Sequence, residues 1–328
     1  MTRRPTLADV AAAAGVSPST ASVVFSRKAP VADATRARVL VAAAELGYTG
    51  PDPFAASLRT GRSGIVGVVL EEHLGVAFLD PVMTLTMDGL ADAVAPLGAG
   101  LLLLPRGSGL ATAPIDAAVL IGVGEATRGS VETLRARGIP LVAIEGDAGE
   151  GVPRIELDNR DAQRRAAEHL RDLGHAHVAI VTLPPHLDLT RDRLAGAREV
   201  YPDAPVHAAG GSLIDEGLAA GRAILADPRD RPTAVIAQSD LLAAGVIRAA
   251  EERGLRVPAD LSVTGFDGIT VDGLAPYELT TLVQPAAEKG RAAGAAVAAL
   301  LEGRDAAGIR FTCAFRAGGT TAPPAARR

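Results

Sequence analysis

Residues 6–25 read Thr6-Leu7-Ala8-Asp9-Val10-Ala11-Ala12-Ala13-Ala14-Gly15-Val16-Ser17-Pro18-Ser19-Thr20-Ala21-Ser22-Val23-Val24-Phe25. Leu7, Val10, Ala11 and Ala14 recur at helical spacing and share one face. Thr6, with Asp9 three residues on, gives a capping-box pattern in which Asp replaces the usual Glu. Gly15 supplies a left-handed stop, followed by apolar Val16. Ser17 then caps a second helix, and Pro18 suits its first position because that amide has no helical partner anyway. Two short helices joined by a tight glycine turn have the shape of a helix-turn-helix. Taken alone, the same pattern fits a plain structural hairpin.

Working outward, a third helix is predicted over Asp33–Leu46, ended by Gly47. Gly50-Pro51-Asp52-Pro53 breaks the chain. The run Phe54–Arg59 is too short to hold as a helix by itself. Thr60-Gly61-Arg62-Ser63-Gly64 reads as a flexible, basic boundary.

From Ile65 the period changes. Strands are predicted at Ile65–Leu70, Gly100–Leu104, Ala117–Ile121, Pro140–Ile144, His177–Thr182, Ala234–Ala237, Ser262–Phe266 and Thr281–Val283. Helices are predicted between them at Asp80–Leu97, Ser130–Gly138, Asp161–Leu173, Arg193–Tyr201, Asp215–Ala226 and Asp240–Arg253, with Ala286–Leu301 last. Such alternation implies parallel sheets with helices on both faces, and its length favours two lobes over one.

The 328 residues are 48% hydrophobic and 22% charged, which fits a packed fold. No apolar run reaches the roughly 18 residues of a membrane span, and no signal-peptide pattern opens the chain, so a cytoplasmic protein is expected. Cys313 is the single cysteine, which excludes an internal disulfide framework and a multi-cysteine metal site. The overall charge is -5, yet residues 1–62 carry eight Lys and Arg against four Asp and Glu. A small basic module on an acidic body is the pattern expected of a nucleic-acid reader.

Further motifs stand in order along the chain. They are Thr35-Arg36 with Glu45-Leu46-Gly47-Tyr48; Ser57-Leu58-Arg59-Thr60-Gly61; Asp158-Asn159-Arg160; His169-Leu170 with Leu173-Gly174-His175; and Arg193-Leu194-Ala195-Gly196. Then come Arg231-Pro232-Thr233-Ala234, Ser239-Asp240, Val257-Pro258, Ser262-Val263-Thr264-Gly265-Phe266-Asp267, and Thr280-Thr281 before Gln284-Pro285. Together with residues 6–25, they make the chain resemble the LacI/GalR family of bacterial repressors over nearly its whole length. The resemblance implies an α/β fold: an N-terminal helix-turn-helix headpiece plus a two-lobed periplasmic-binding-protein-like core of doubly wound parallel sheets. The implied divisions are a headpiece 1–50, a hinge 51–62, a core 63–321 and a tail 322–328. Within the core, the N-lobe takes 63–157 plus 286–308, and the C-lobe takes 158–283 plus 309–321.

The resemblance also implies partners: double-stranded operator DNA, a small-molecule effector such as a sugar or similar metabolite, and a second copy in a homodimer. No membrane and no cofactor are expected. Pro18, Ser19, Ser22 and Val23 match base-reading positions on a recognition helix lying in the major groove. Family members usually carry Arg or Lys where Val23 stands, so guanine reading is lost at that step. Thr6, Ser17, Thr20, Ser22, Arg27 and Arg36 are expected on the DNA face, with the hydroxyls of Thr20 and Ser22 and the two arginines reaching phosphates. Leu58 matches a hinge leucine that wedges into the minor groove, and Ala55 the small residue that permits close approach. A linker leucine packed on the body is the plainer reading.

For the effector, the resemblance implies Arg193 and Asp267 first, then Phe78, Asp80, Asp158, Ser239, Asp240 and Phe266. Each has a bland alternative. Asp158 and Asp240 suit helix caps, and Arg193 suits a surface ion pair.

Catalytic patterns are missing. Gly122-Val123-Gly124 is followed by Thr127 where a dinucleotide fingerprint needs glycine, and no Gly-x-Ser-x-Gly elbow or Walker loop exists. His169, His175 and His177 read as surface or packing residues rather than metal ligands. A transcriptional regulator is therefore expected, not an enzyme. A ligand-binding protein of the periplasmic-receptor type is the alternative, and a sugar-handling kinase the third reading.

Overall fold

The computed structural model describes residues 5–26, 29–50, 57, 61–104, 109–271 and 277–325. It forms two compact units, Met1–Ser63 and Gly64–Arg328.

The first unit contains α1 (Leu7–Ala13), α2 (Pro18–Ser26) and α3 (Asp33–Glu45). The capping box forms as the sequence predicts: Thr6 Oγ1 accepts from the Asp9 amide, and Asp9 Oδ2 accepts from the Thr6 amide at 2.8 Å. Gly15 takes the left-handed conformation, φ 65°, that turns the chain between α1 and α2. The two helices meet at 108°. Val10, Ala11, Ala21, Val24, Val39 and Ala43 close a small core, with Phe25 edge-on to Tyr48 at 5.3 Å. Arg27, Ala55 and Leu58 lie outside the described residues.

In the second unit, the first lobe has a six-stranded sheet of β1 (Ile65–Leu70), β2 (Gly100–Leu104), β3 (Ala117–Ile121), β4 (Leu141–Ile144), β5 (Arg154–Leu157) and β11 (Ile309–Phe311). Its order is β11-β5-β4-β3-β1-β2, and every pair is parallel. Around it stand α4 (Leu74–Ala77), α5 (Pro81–Val94), α6 (Arg128–Ala136) and α11 (Ala286–Leu301). Successive residues of β1, β3 and β4 alternate between two cores. Val66, Val68, Val119, Val142 and Ile144 face α5 and α11, while Val69, Ala118, Leu120 and Ala143 face the side of α6. Burial on both faces is why these strands read as unbroken apolar runs.

The second lobe repeats the plan. Its parallel order is β7 (Val206–Ala208), β6 (Val178–Thr182), β8 (Ala234–Ala237), β9 (Ser262–Thr264). One face is covered by α7 (Asn159–Asp172) and α8 (Asp188–Val200), the other by α9 (Ile214–Ile224) and α10 (Asp240–Glu252). An antiparallel pair, β10 (Thr281–Val283) with β12 (Ala314–Arg316), extends it beside β9 through bridges at Thr264–Thr280 and Asp267–Val283.

Three boundaries differ from expectation. Residues 309–311 pair with β5 in the first lobe's sheet, so the last crossover falls after Phe311 rather than before Ile309. Ala322, assigned to the tail, accepts from His175 Nε2 at 2.9 Å and donates to Ser262 Oγ at 3.1 Å, which anchors it on the second lobe. The helix expected from Arg193 begins at Asp188, whose polar first turn gave no apolar periodicity. Arg193 therefore stands mid-helix.

Candidate functional site

The C-terminal ends of the parallel strands in both lobes face one cleft, where ligands of open α/β sheets bind. Glu71 and Glu72 follow β1, Glu145 follows β4, Leu183 follows β6, Ser239 follows β8 and Asp267 follows β9; all line the same cavity of about 130 Å³. Asp80, Arg193, Gln284 and Lys289 complete its polar wall, and Leu187, Leu189 and Leu241 add apolar surface.

A closed ring of polar side chains crosses between the lobes here. Lys289 Nζ pairs with Glu145 Oε1 at 2.8 Å. Glu145 Oε2 accepts from Asn159 Nδ2 at 3.0 Å, and Asn159 Oδ1 accepts from Arg193 Nε at 2.9 Å. Arg193 Nη1 lies 4.0 Å from Asp267 Oδ1. Gln284 closes the ring, donating to Asp267 Oδ1 at 2.6 Å and accepting from Lys289 Nζ at 2.7 Å. Glu145 and Lys289 belong to the first lobe, Asn159, Arg193 and Asp267 to the second, and Gln284 to the crossover between β10 and α11.

Arg193 is 3% exposed and held on three sides. Besides Asn159, it donates from Nη1 to the Gln238 carbonyl at 2.5 Å, and its guanidinium lies 3.5 Å over the Phe266 ring. Nη2 has no hydrogen-bond partner among the described residues and remains for the cleft. Asp267 sits at φ 130°, an unusual conformation for a non-glycine residue, because the chain leaves β9 and turns to bond with Leu282 of β10. Burial raises its carboxyl well above the ordinary range; the Arg193 guanidinium opposes this, and the Asp240 and Asp80 carboxylates add to it. Burial also raises Asp80, against the Val82 amide and the charges of Arg193 and Lys289.

Asp80, Arg193, Ser239 and Asp267 are thus brought together at the cavity wall. The other four predicted effector residues stand elsewhere. Phe266 is fully buried beneath Arg193 and acts as its shelf rather than as a cleft face. Phe78 ends α4 and is 53% exposed beside Leu79. Asp158 caps α7, accepting from the Asp161 amide at 3.1 Å. Asp240 neither caps its helix nor lines the cavity. Ser239 is the cap, accepting from the Leu242 amide, whereas Asp240 is buried on Thr281 Oγ1 at 2.5 Å and the Ile269 amide at 2.9 Å. The residues missed were Glu71, Glu72, Glu145, Asn159, Gln284 and Lys289. The pair Glu71-Glu72 directly after an apolar strand, and Lys289 inside the apolar helix Ala286–Leu301, were the available signals.

In the headpiece, Ser17, Pro18 and Ser19 are exposed at the start of α2. Ser17 Oγ accepts from the Thr20 amide at 3.1 Å and lies 2.8 Å from both Ser19 Oγ and Thr20 Oγ1. Thr20, Ser22 and Val23 are half-buried. Two expected DNA contacts have internal duties. Thr6 Oγ1 donates to Asp9 Oδ2 at 2.7 Å, and Arg36 Nη1 reaches the Val24 carbonyl at 3.5 Å, tying α3 to α2. His175 is a packing residue, bonded to Thr233 and Ala322, and His169 Nε2 meets Thr321 Oγ1 at 2.9 Å. Among the described residues, no group of three His, Cys, Asp or Glu is placed to hold a metal. No single helix there is long and apolar enough to cross a membrane.

Comparison with known proteins identifies the family. Residues 6–50 match the model for bacterial regulatory proteins of the lacI family, and residues 167–319 match that for a periplasmic binding protein-like domain. The HTH-type transcriptional regulator Rv3575c of Mycobacterium tuberculosis is 34% identical over 89% of this chain and 90% of its own length. The chain belongs to the LacI family of bacterial regulatory proteins. This LacI-family chain is a transcriptional regulator rather than an enzyme. It is similar to the solved transcriptional regulator CelR–cellobiose complex, with 28% identity, a TM-score of 0.72, and coverage of 97% of this chain and 100% of that one. The fold is also that of the lac repressor dimer bound to operator and the anti-inducer ONPF, with 24% identity, a TM-score of 0.83, and coverage of 98% and 100%.

Proposed function

We propose that this LacI-family regulator works in the cytoplasm as a homodimeric repressor. It binds a near-palindromic operator and responds to a small polar effector, a sugar or related metabolite, in the interlobe cleft. The observation that carries the effector site is the ring around Arg193: a buried guanidinium whose Nε and Nη1 are occupied, leaving Nη2 toward a cavity shared by both lobes. A ligand hydroxyl accepting from Nη2 and donating to Asp267 would bind the second lobe. Asp80, across the cleft, would hold it to the first. Ligation then shifts the population of lobe arrangements, and with it operator competence. The cellobiose-bound relative supports a sugar-like ligand class.

The exposed start of α2 supports DNA reading by Pro18 and Ser19, with Val23 against a thymine methyl. Ala55 and Leu58 remain proposals from the resemblance, as minor-groove contacts of a hinge at 51–62. Dimerisation has support in the exposed Phe78, Leu79 and Leu85 of α4, its following turn and α5, an apolar patch on the first lobe.

The test has two parts. Selection of sites from random duplex DNA, at stated salt, should enrich a dyad without the usual guanine at the Val23 step. Arg193→Ala should keep operator affinity within about twofold and abolish the response to any effector that releases the wild type. A random library with no enriched site would remove Pro18, Ser19 and Val23 as base readers.

A further inference from the structure

Five carboxylates line the cleft, Glu71, Glu72, Asp80, Glu145 and Asp267, against two cations, Arg193 and Lys289. Both cations are already matched: Lys289 by Glu145 at 2.8 Å, and Arg193 by Asp267 at 4.0 Å. Glu71, Glu72 and Asp80 form no ion pair with any described cation, and even with Asp80 and Asp267 protonated the remaining three carboxylates outnumber the two cations, so the wall carries a negative surplus. Asp80 spends one oxygen on the Val82 amide at 2.9 Å.

Glu71 is the decisive residue. It is 2% exposed at the end of β1, and its Oε1 accepts from the Ala126 amide at 3.1 Å. Its Oε2 is buried without a hydrogen-bond partner among the described residues. An ionised carboxylate oxygen kept from water and given no donor is costly, and a protein retains one where something else supplies the donor. A carboxylate or phosphate on the ligand would add to the surplus. A neutral hydroxyl supplies one donor and no charge. An ammonium supplies three donors and the missing charge.

We propose that the effector is an amine-bearing polyol, such as an amino sugar, whose protonated nitrogen is bound by Glu71 with Glu72 and Asp80 around it. This rests on the cleft being the effector site. It goes further by assigning the ligand a positive charge and by naming Glu71, which the resemblance did not single out, as the group that selects it.

The experiment is calorimetric titration of the full-length protein with matched pairs differing only in the amine: glucosamine against glucose, galactosamine against galactose, and glucamine against sorbitol. In at least one pair the amine should bind about tenfold tighter or better, the worth of one charge-assisted hydrogen bond. Glu71→Gln keeps an oxygen for the Ala126 amide but removes the charge, and should erase that preference, so that the amine and the neutral member of each pair bind with equal affinity. Equal or tighter binding of the neutral members would overturn the proposal and leave the effector site standing. So would a preference that survives in Glu71→Gln. No binding by any member of any pair would count against the cleft as a sugar site, and the proposal would fall with it.

Discussion

At the scale of single residues, neighbours in sequence have opposite tasks. Ser239 and Asp240 are adjacent, yet Ser239 caps α10 at the cavity wall while Asp240 is fully buried. Burial pushes the Asp240 carboxyl up to about 6, against the bonds from Thr281 and the Ile269 amide, from an ordinary value of 3.8. Between those two values the folded protein holds a proton that the unfolded chain has released. Stability is therefore greatest below that window and falls as pH rises through it. Full expression of the shift would amount to about 3 kcal/mol. Urea titrations between pH 4.5 and 7 should show this decline in the wild type and a flatter one in Asp240→Asn, which cannot ionise. An unchanged slope in the variant would place the titration on Asp267, whose carboxyl is raised in the same direction.

At the scale of elements, the many glycines and alanines have a packing use. A Cβ on Gly290 of α11 would stand 2.0 Å from the Thr86 carbonyl of α5, and one on Gly89 of α5 would stand 2.0 Å from the Ala287 carbonyl. The pair α9–α10 repeats this at Gly245, 2.2 Å from the Ile214 carbonyl. Helix backbones approach this closely only where no side chain intervenes. Gly290→Ala should therefore destabilise by about 1–3 kcal/mol despite alanine's better helix propensity, because the two backbones must separate. Gly129 of α6 has nothing within 4 Å of the added carbon. Gly129→Ala should accordingly stabilise by up to about 1 kcal/mol. Equal effects at the two positions, read by urea denaturation, would contradict the close-packing account.

At the scale of the molecule, the polar ring joins the lobes. Lys289 and Glu145 are separated by 144 residues, and both side chains are nearly buried, 3% and 10% exposed. Lys289→Met leaves Glu145 without its cation and should cost about 3–5 kcal/mol. Adding Glu145→Gln removes the stranded charge and should recover most of that loss. The double variant still lacks the Lys289 bond to Gln284 at the crossover, and should fail to hold the lobes in the wild-type arrangement. Small-angle scattering should then report a larger radius of gyration at near-wild-type stability. A double variant indistinguishable from the wild type in scattering would reduce the ring to local packing.

The helix-turn-helix was legible because its signals are local. Thr6 with Asp9, Gly15, and Ser17 with Pro18 each act within a few residues, and a helix is decided over that range. The central strands were legible because burial on both faces leaves an apolar run. The short strands β5, β7, β11 and β12 were not legible in the sequence. They are three or four residues long, partly exposed, and defined by a partner elsewhere in the chain. Arg193 and Asp267 were legible as candidates, but their surroundings were not. The sequence by itself determined the headpiece, the alternating core and half of the predicted cleft residues. Only the tertiary structure decided that Asp240 turns inward and Ser239 outward, that Phe266 lies under Arg193, and that Lys289 meets Glu145. Those outcomes depend on which charges share a low-dielectric space, and that is set by chain crossings many tens of residues apart.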